Sequence, residues 1–148
     1  MMDKKDEMIL DLLHTDASLS TYQISKKTAI PQTTVLNRIR KLKEEGIIKR
    51  YTVNTDYKKL GKKVKALIYA KVEKNSEHKK KISGEVEELL FRHDFVVNVK
   101  RLMGKYDFVL EVVSKDIDEL NDFLVKKVRA YEFIAETETV VVLKEWDK

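Results

Sequence analysis

A chain of 148 residues, 43% hydrophobic and 37% charged, is too apolar to stay disordered and long enough for one ordinary domain or two small ones. It has no cysteine, which excludes disulfides and thiolate metal sites, and no apolar run long enough for a bilayer, so a cytoplasmic protein without a membrane partner is expected. The net charge of +5 is uneven: residues 1–63 carry 14 Lys/Arg against 8 Asp/Glu, whereas residues 64–148 carry 16 against 17.

In chain order, Met8, Ile9, Leu12 and Leu13 share one face of a helix predicted over residues 3–14. Asp16-Ala17-Ser18 breaks it, and Ser20 is placed to cap a short helix over 21–28 with Ile24 inward. Ala29-Ile30-Pro31 is a tight connection, and its proline favours a helix starting just beyond it. That third helix, 32–45, hides Val35, Ile39 and Leu42 at i, i+4 and i+7. At about 100° per residue its opposite face carries Thr33, Asn37, Arg40 and Glu44, flanked by Thr34 and Lys41. Gly46 suits the left-handed position after a helix, and the β-branched and aromatic run 47–53 predicts a strand, the wing.

Residues 54–63, lysine-rich and containing Gly61, read as a linker between a winged helix-turn-helix over 1–53 and a second domain over 64–148. The second domain alternates in kind: strand 64–72, helix 77–92, strand 95–103, a Gly104-Lys105 turn, strand 107–113, helix 116–129 and strand 133–144. The order β-α-β-β-α-β predicts a ferredoxin-like α+β domain, an antiparallel sheet with both helices on one face. The other face is left open, and strands apolar on both sides (Leu67-Ile68-Tyr69, and Val140 to Leu143) point to homodimerisation through it.

The functional signal lies in the first domain. Between residues 26 and 51, Lys26, Lys27, Arg38, Arg40, Lys41, Lys43, Lys49 and Arg50 face only Glu44 and Glu45, the footprint of a polyanion-binding surface. A helix-turn-helix braces one helix with another so that its outer face can enter the major groove of double-stranded DNA. Thr33, Asn37, Arg40 and Lys41 suit base edges or nearby phosphates, with Gln32 and Thr34 beside them. Arg38, Lys49 and Arg50 suit the backbone, and Ser20 and Thr21 stand at the second helix's N-terminus. The competing plain reading of these residues is a trihelical bundle used for protein contacts.

Several stretches together carry a family resemblance: Asp6-Glu7-Met8-Ile9-Leu10 with Leu12-Leu13, the run Thr34 to Leu42, Gly46-Ile47-Ile48-Lys49-Arg50-Tyr51, Leu60-Gly61, Gly104-Lys105-Tyr106-Asp107-Phe108, and Thr137 to Leu143. In this order and spacing the chain resembles the leucine-responsive regulator/asparagine-regulator (Lrp/AsnC, feast/famine) transcription factors over nearly its whole length. The resemblance implies dimers through the sheet domain, assembly into octamers or larger arrays, and an amino acid or similar effector held between dimers. By the same match, Gly104, Asp107, Thr137 and Thr139 are the effector contacts, with backbone amides for a carboxylate and Asp107 for an ammonium. Read as plain residues, Gly104-Lys105 is also what a hairpin turn needs for positive φ, and alternating threonines are ordinary in strands.

Catalysis has little support. His14, His78 and His93 are scattered, Ser20 and Ser25 lack a nucleophile elbow, and the four glycines form no phosphate loop, so neither metal nor cofactor is expected. Sirohaem decarboxylases resemble the same two-domain scaffold, which makes such an enzyme the alternative. Its haem-facing groups would come from His78, His93, Arg92, Arg101 and Arg129. A ligand-sensing interaction module without DNA binding is the third reading.

Overall fold

The computed structural model describes residues 2–73 and 85–146, which fall into two units, Met1–Thr55 and Asp56–Asp147. In the first unit, α1 (Lys4–Thr15) starts from a reciprocal cap. The Asp3 carboxylate accepts the backbone N–H of Lys5 and Asp6, and the Asp6 carboxylate accepts that of Asp3, at 2.9–3.0 Å. The Ser20 hydroxyl caps α2 (Thr21–Thr28) by accepting from Gln23 N–H at 3.2 Å, while Gln23 Oε1 accepts from Ser20 N–H at 2.8 Å. Each such cap contributes about 1 kcal/mol. The chain leaves α2 through Ala29, a non-glycine residue in the left-handed region at φ 57°. It then enters α3 (Gln32–Glu44) from Pro31, and Gly46, at φ 72°, ends that helix.

Ile9, Leu13, Ile24, Ile30, Val35 and Ile39 form the core of this unit, as the helical spacing requires. The strand expected over 47–53 is not formed. Ile48 N–H bonds back to Leu42 O at 3.0 Å, and the chain then runs irregularly. The physical reason is that a β-branched segment becomes a strand only against a second one, and this unit has no other strand among the described residues.

The second unit contains β1 (Val64–Val72), α4 (Glu85–Phe91), β2 (Val96–Arg101), β3 (Phe108–Ser114), α5 (Ile117–Phe123) and β4 (Ile134–Val141). The part of the expected helix over 77–84 lies outside the described residues. α5 continues into a π-helical turn, Leu124–Val128, which completes the element expected over 116–129. The sheet order is β2-β3-β1-β4, all antiparallel, which is the ferredoxin-like arrangement. Ala66, Ile68, Ala70 and Val72 of β1 alternate inward and meet Phe108, Leu110 and Val112 of β3. Val86 and Leu90 of α4 and Leu120, Phe123, Leu124 and Val128 cover that face.

The opposite face carries Leu67 and Tyr69 of β1, Val109 and Glu111 of β3, and Glu138 and Val140 of β4 by register. It is less apolar than the runs of valine and leucine suggest. Lys65 sits on it, 2.8 Å from Glu111 and 2.8 Å from Glu145.

Candidate nucleic-acid interface and ligand turn

Burial of Val35, Ile39 and Leu42 fixes the rotation of α3, and the same rotation turns Gln32, Thr33, Asn37, Arg40 and Lys41 to solvent. Lys49 and Arg50 are exposed on the segment that follows. The N-termini of α2 and α3 are tied together: Gln32 Nε2 donates to Thr21 Oγ1 at 3.2 Å, which joins two of the residues expected at the interface. Ser20, exposed, spends its hydroxyl on the helix cap. The arrangement offers amide, hydroxyl and guanidinium donors on one convex helix, the chemistry that base edges and phosphates require.

Arg38, expected to suit the DNA backbone, is held in an ion pair within the first unit. Its Nη1 lies 2.7 Å from Asp3 Oδ1 and 2.8 Å from Asp6 Oδ1, so the guanidinium joins the start of α1 to the flank of α3. Asp6 is buried, and an unpaired carboxylate there is costly, which explains why the cation turns inward. Hydrogen bonding from Arg38 holds the Asp3 carboxyl below its ordinary range, and the two carboxylates raise the Arg38 guanidinium in turn. Thr34, Asn37, Arg38 and Lys41 line a hollow of about 300 Å³ with Asp3 and Asp6. Sequence reasoning missed the clamp because its partners lie 32 and 35 residues apart, beyond any helical period. The only sequence signal was the pair of acids at the start of α1.

In the second unit three of the four residues expected at a ligand site, Asp107, Thr137 and Thr139, lie on the two sides of β1. Asp107 N–H donates to Ala70 O at 2.9 Å, and Asp107 Oδ2 accepts from Val72 N–H at 2.8 Å, so one carboxylate oxygen already holds the strand end. Thr137, across β1, pairs with Ala70, and Thr139 pairs with Ile68. Asp107 and the two threonines are therefore separated by β1, about two interstrand spacings or roughly 10 Å. Thr137 Oγ1 accepts from Arg129 Nε at 2.9 Å. Thr139 Oγ1 is buried and, among the described residues, has no hydrogen-bond partner.

Gly104 corrects the hairpin argument: its φ lies outside the left-handed region, and an added Cβ would meet nothing within 4 Å. Neither backbone conformation nor packing within the chain demands glycine there. Two residues not anticipated, Tyr106 and Glu138, bridge the turn to β4 by a hydrogen bond from the phenol to the carboxylate. That bond raises the Tyr106 phenol above its ordinary range. Tyr106 also packs against Tyr69 at 5.5 Å between ring centroids, an aromatic pattern that alternation along β1 could have suggested.

Three of the five groups that a tetrapyrrole site would draw on have local partners, and Arg92 is exposed. His93 Nε2 lies 3.0 Å from Tyr131 Oη, Arg101 pairs with Glu87 at 2.8 Å, and Arg129 serves Thr137; His78 lies outside the described residues. No helix among the described residues is long and apolar enough to cross a membrane.

Comparison with known proteins agrees with this division. A winged helix-turn-helix DNA-binding family model matches residues 2–49, and the Lrp/AsnC ligand binding domain model matches residues 68–148. The HTH-type transcriptional regulator FL11 of Pyrococcus furiosus is 32% identical over 144 residues, spanning 97% of this chain and 91% of its own. The structure of Escherichia coli AsnC superposes with a TM-score of 0.82 at 26% identity, covering 98% of this chain and 94% of that one. A Neisseria meningitidis transcriptional regulator in complex with L-Met shares the fold, with a TM-score of 0.89 at 20% identity, covering 100% and 94%. Relatives that are regulators by name set aside the decarboxylase alternative, and the chain is not an enzyme. With both domain models matched in order and relatives aligned end to end, the chain belongs to the Lrp/AsnC family of DNA-binding transcriptional regulators.

Proposed function

We propose that this protein binds double-stranded DNA sequence-specifically as a cytoplasmic dimer and that an amino acid or similar small effector modulates its occupancy. The observation that carries the reading is the rotation of α3: its aliphatic stripe is buried while Thr33, Asn37, Arg40 and Lys41 stand outward beside Lys49 and Arg50. Two such helices in a symmetric dimer meet half-sites about one helical turn apart, or a multiple of it. The open sheet face, with Leu67, Tyr69, Val109 and Val140, supports pairing of subunits, and further assembly to octamers is part of the proposal.

The effector is assigned to Gly104, Asp107, Thr137 and Thr139. The spare oxygen of Asp107 accepts an ammonium, the turn amides donate to a carboxylate, and Thr139 contributes its unpaired hydroxyl. Because β1 separates the two sets within one chain, a single small effector contacts both only if two subunits contribute.

Selection from a randomised duplex library by the full chain, with and without a mixture of amino acids including L-methionine, tests the reading. An enriched pseudo-palindrome with salt-dependent affinity is expected, together with a change in occupancy or sedimentation on adding an amino acid. An unenriched library overturns the DNA assignment; a library and an assembly state indifferent to every amino acid overturn the effector.

A further inference from the structure

Leu36 is a large apolar side chain that α3 leaves 46% exposed. At about 100° per residue it stands about 40° from Arg40 and about 60° from Thr33, on the shoulder of the face that carries Asn37 and Arg40. The other exposed apolar side chains of the first unit, such as Met8 and Tyr22, belong to the residue run before α1, to α1 and α2, or to the segment after α3. Leu36 is the one such side chain that travels with the outward donors of α3.

A helix cannot seat Thr33, Asn37 and Arg40 against base edges without also bringing Leu36 there. Almost everything on the floor of the major groove is a hydrogen-bond donor or acceptor, and pressing leucine onto those groups strips them of water without return. One group is different: the 5-methyl of thymine, apolar and projecting into the groove. We propose that Leu36 is a specificity-determining residue that reads thymine through this methyl group. The proposal rests on α3 being the reading helix and adds an apolar contact to the hydrogen-bonding groups of that face; a thymine preference carried by the Thr33 methyl instead would survive in Leu36→Ala.

The experiment compares two randomised duplex libraries, one made with thymine and one with uracil, which differ only by the methyl. Both are selected with the full chain and with Leu36→Ala; the side chain is half exposed, so the variant folds. The wild-type chain is expected to enrich at least one T·A position per half-site from the thymine library. It should bind the uracil version of the enriched duplex about fourfold more weakly per methyl, the effect of one buried methyl-sized group. Leu36→Ala should lose that position and bind both duplexes alike, with the rest of the preferred site intact. An equal preference for thymine and uracil by the wild type overturns the proposal, as does a thymine/uracil difference that survives in Leu36→Ala. A Leu36→Ala chain that changes its sedimentation and not its selected site places the leucine in a subunit contact and also overturns it. Absence of enrichment from either library removes the reading helix itself, a separable failure.

Discussion

The guanidinium of Arg38 and the carboxylate of Asp6 meet at 2.8 Å across the gap between the flank of α3 and the first turn of α1. Because Asp6 is buried and also accepts the Asp3 N–H, this pair links the cap of one helix to the rotation of another. Arg38→Met leaves the Asp6 carboxylate without its cation and should lower the melting temperature of the first unit. Measured where the protein is folded, DNA affinity should fall by less than tenfold, and its salt dependence should keep the wild-type slope. A variant as stable as the wild type that loses a full phosphate contact would return Arg38 to the backbone role.

Arg40→Ala and Asn37→Ala are expected to behave in the opposite way. Both side chains are exposed, so thermal melting should shift by no more than about 0.5 kcal/mol. Site discrimination should relax by about 1–3 kcal/mol at the base each one reads. Competition binding against single-base variants of the selected site measures it, and unchanged discrimination in both variants moves readout elsewhere on the helix.

Asp3 gives the first unit a pH signature. Arg38 depresses its carboxyl below the ordinary value of 3.8, so the ionised form is favoured by folding. The associated stabilisation is complete above about pH 5, where the unfolded carboxyl is also ionised, and is lost as pH falls through the lower folded value. Asparagine caps a helix as well as aspartate does, so Asp3→Asn isolates the charge. The gap in melting temperature between wild type and Asp3→Asn should be flat from pH 5 to 9 and close below about pH 4. A gap that widens on acidification contradicts the assignment.

How far the sequence alone reached can be seen in these same residues. Ser20, Pro31 and Gly46 punctuate the helices locally, and the stripes Ile9–Leu13 and Val35–Ile39–Leu42 set their buried faces, so the first three helices and the outward side of α3 were legible. Alternation and order gave the second unit its strand sequence for the same reason. Propensity over 47–53 was misleading because a strand depends on a neighbour that local sequence does not contain. The Arg38 clamp and the Asp107–Val72 bond were hidden because both join residues more than 30 positions apart, each chosen by geometry rather than by period.

Ala29 carries a strain that a single substitution should relieve. At φ 57° its Cβ crowds the backbone by about 1 kcal/mol relative to glycine. Ala29→Gly, after allowing for the freer unfolded chain, is expected to stabilise the first unit by about 0.5 kcal/mol without altering DNA affinity. A lower melting temperature would show that the turn is held by contacts of the methyl group instead.

Asp107 separates folding from sensing by two substitutions. Asp107→Asn keeps an oxygen for Val72 N–H and should melt within about 0.5 kcal/mol of the wild type, yet lose the response to amino acids because its charge is gone. Asp107→Ala should lose that response and also about 1–2 kcal/mol of stability as the Val72 amide goes unpaired. A full response from Asp107→Asn would free this residue from any part in binding an ammonium.

The end of β1 works as a common anchorage. Ala70 receives the amide of Asp107 on one side and lies in register with Thr137 on the other; the ladder slips between Lys71 and Val72, where Asp107 grips again. Any group that drew on that carboxylate would compete with the Val72 amide at the very point where the ladder of the outermost strand changes register.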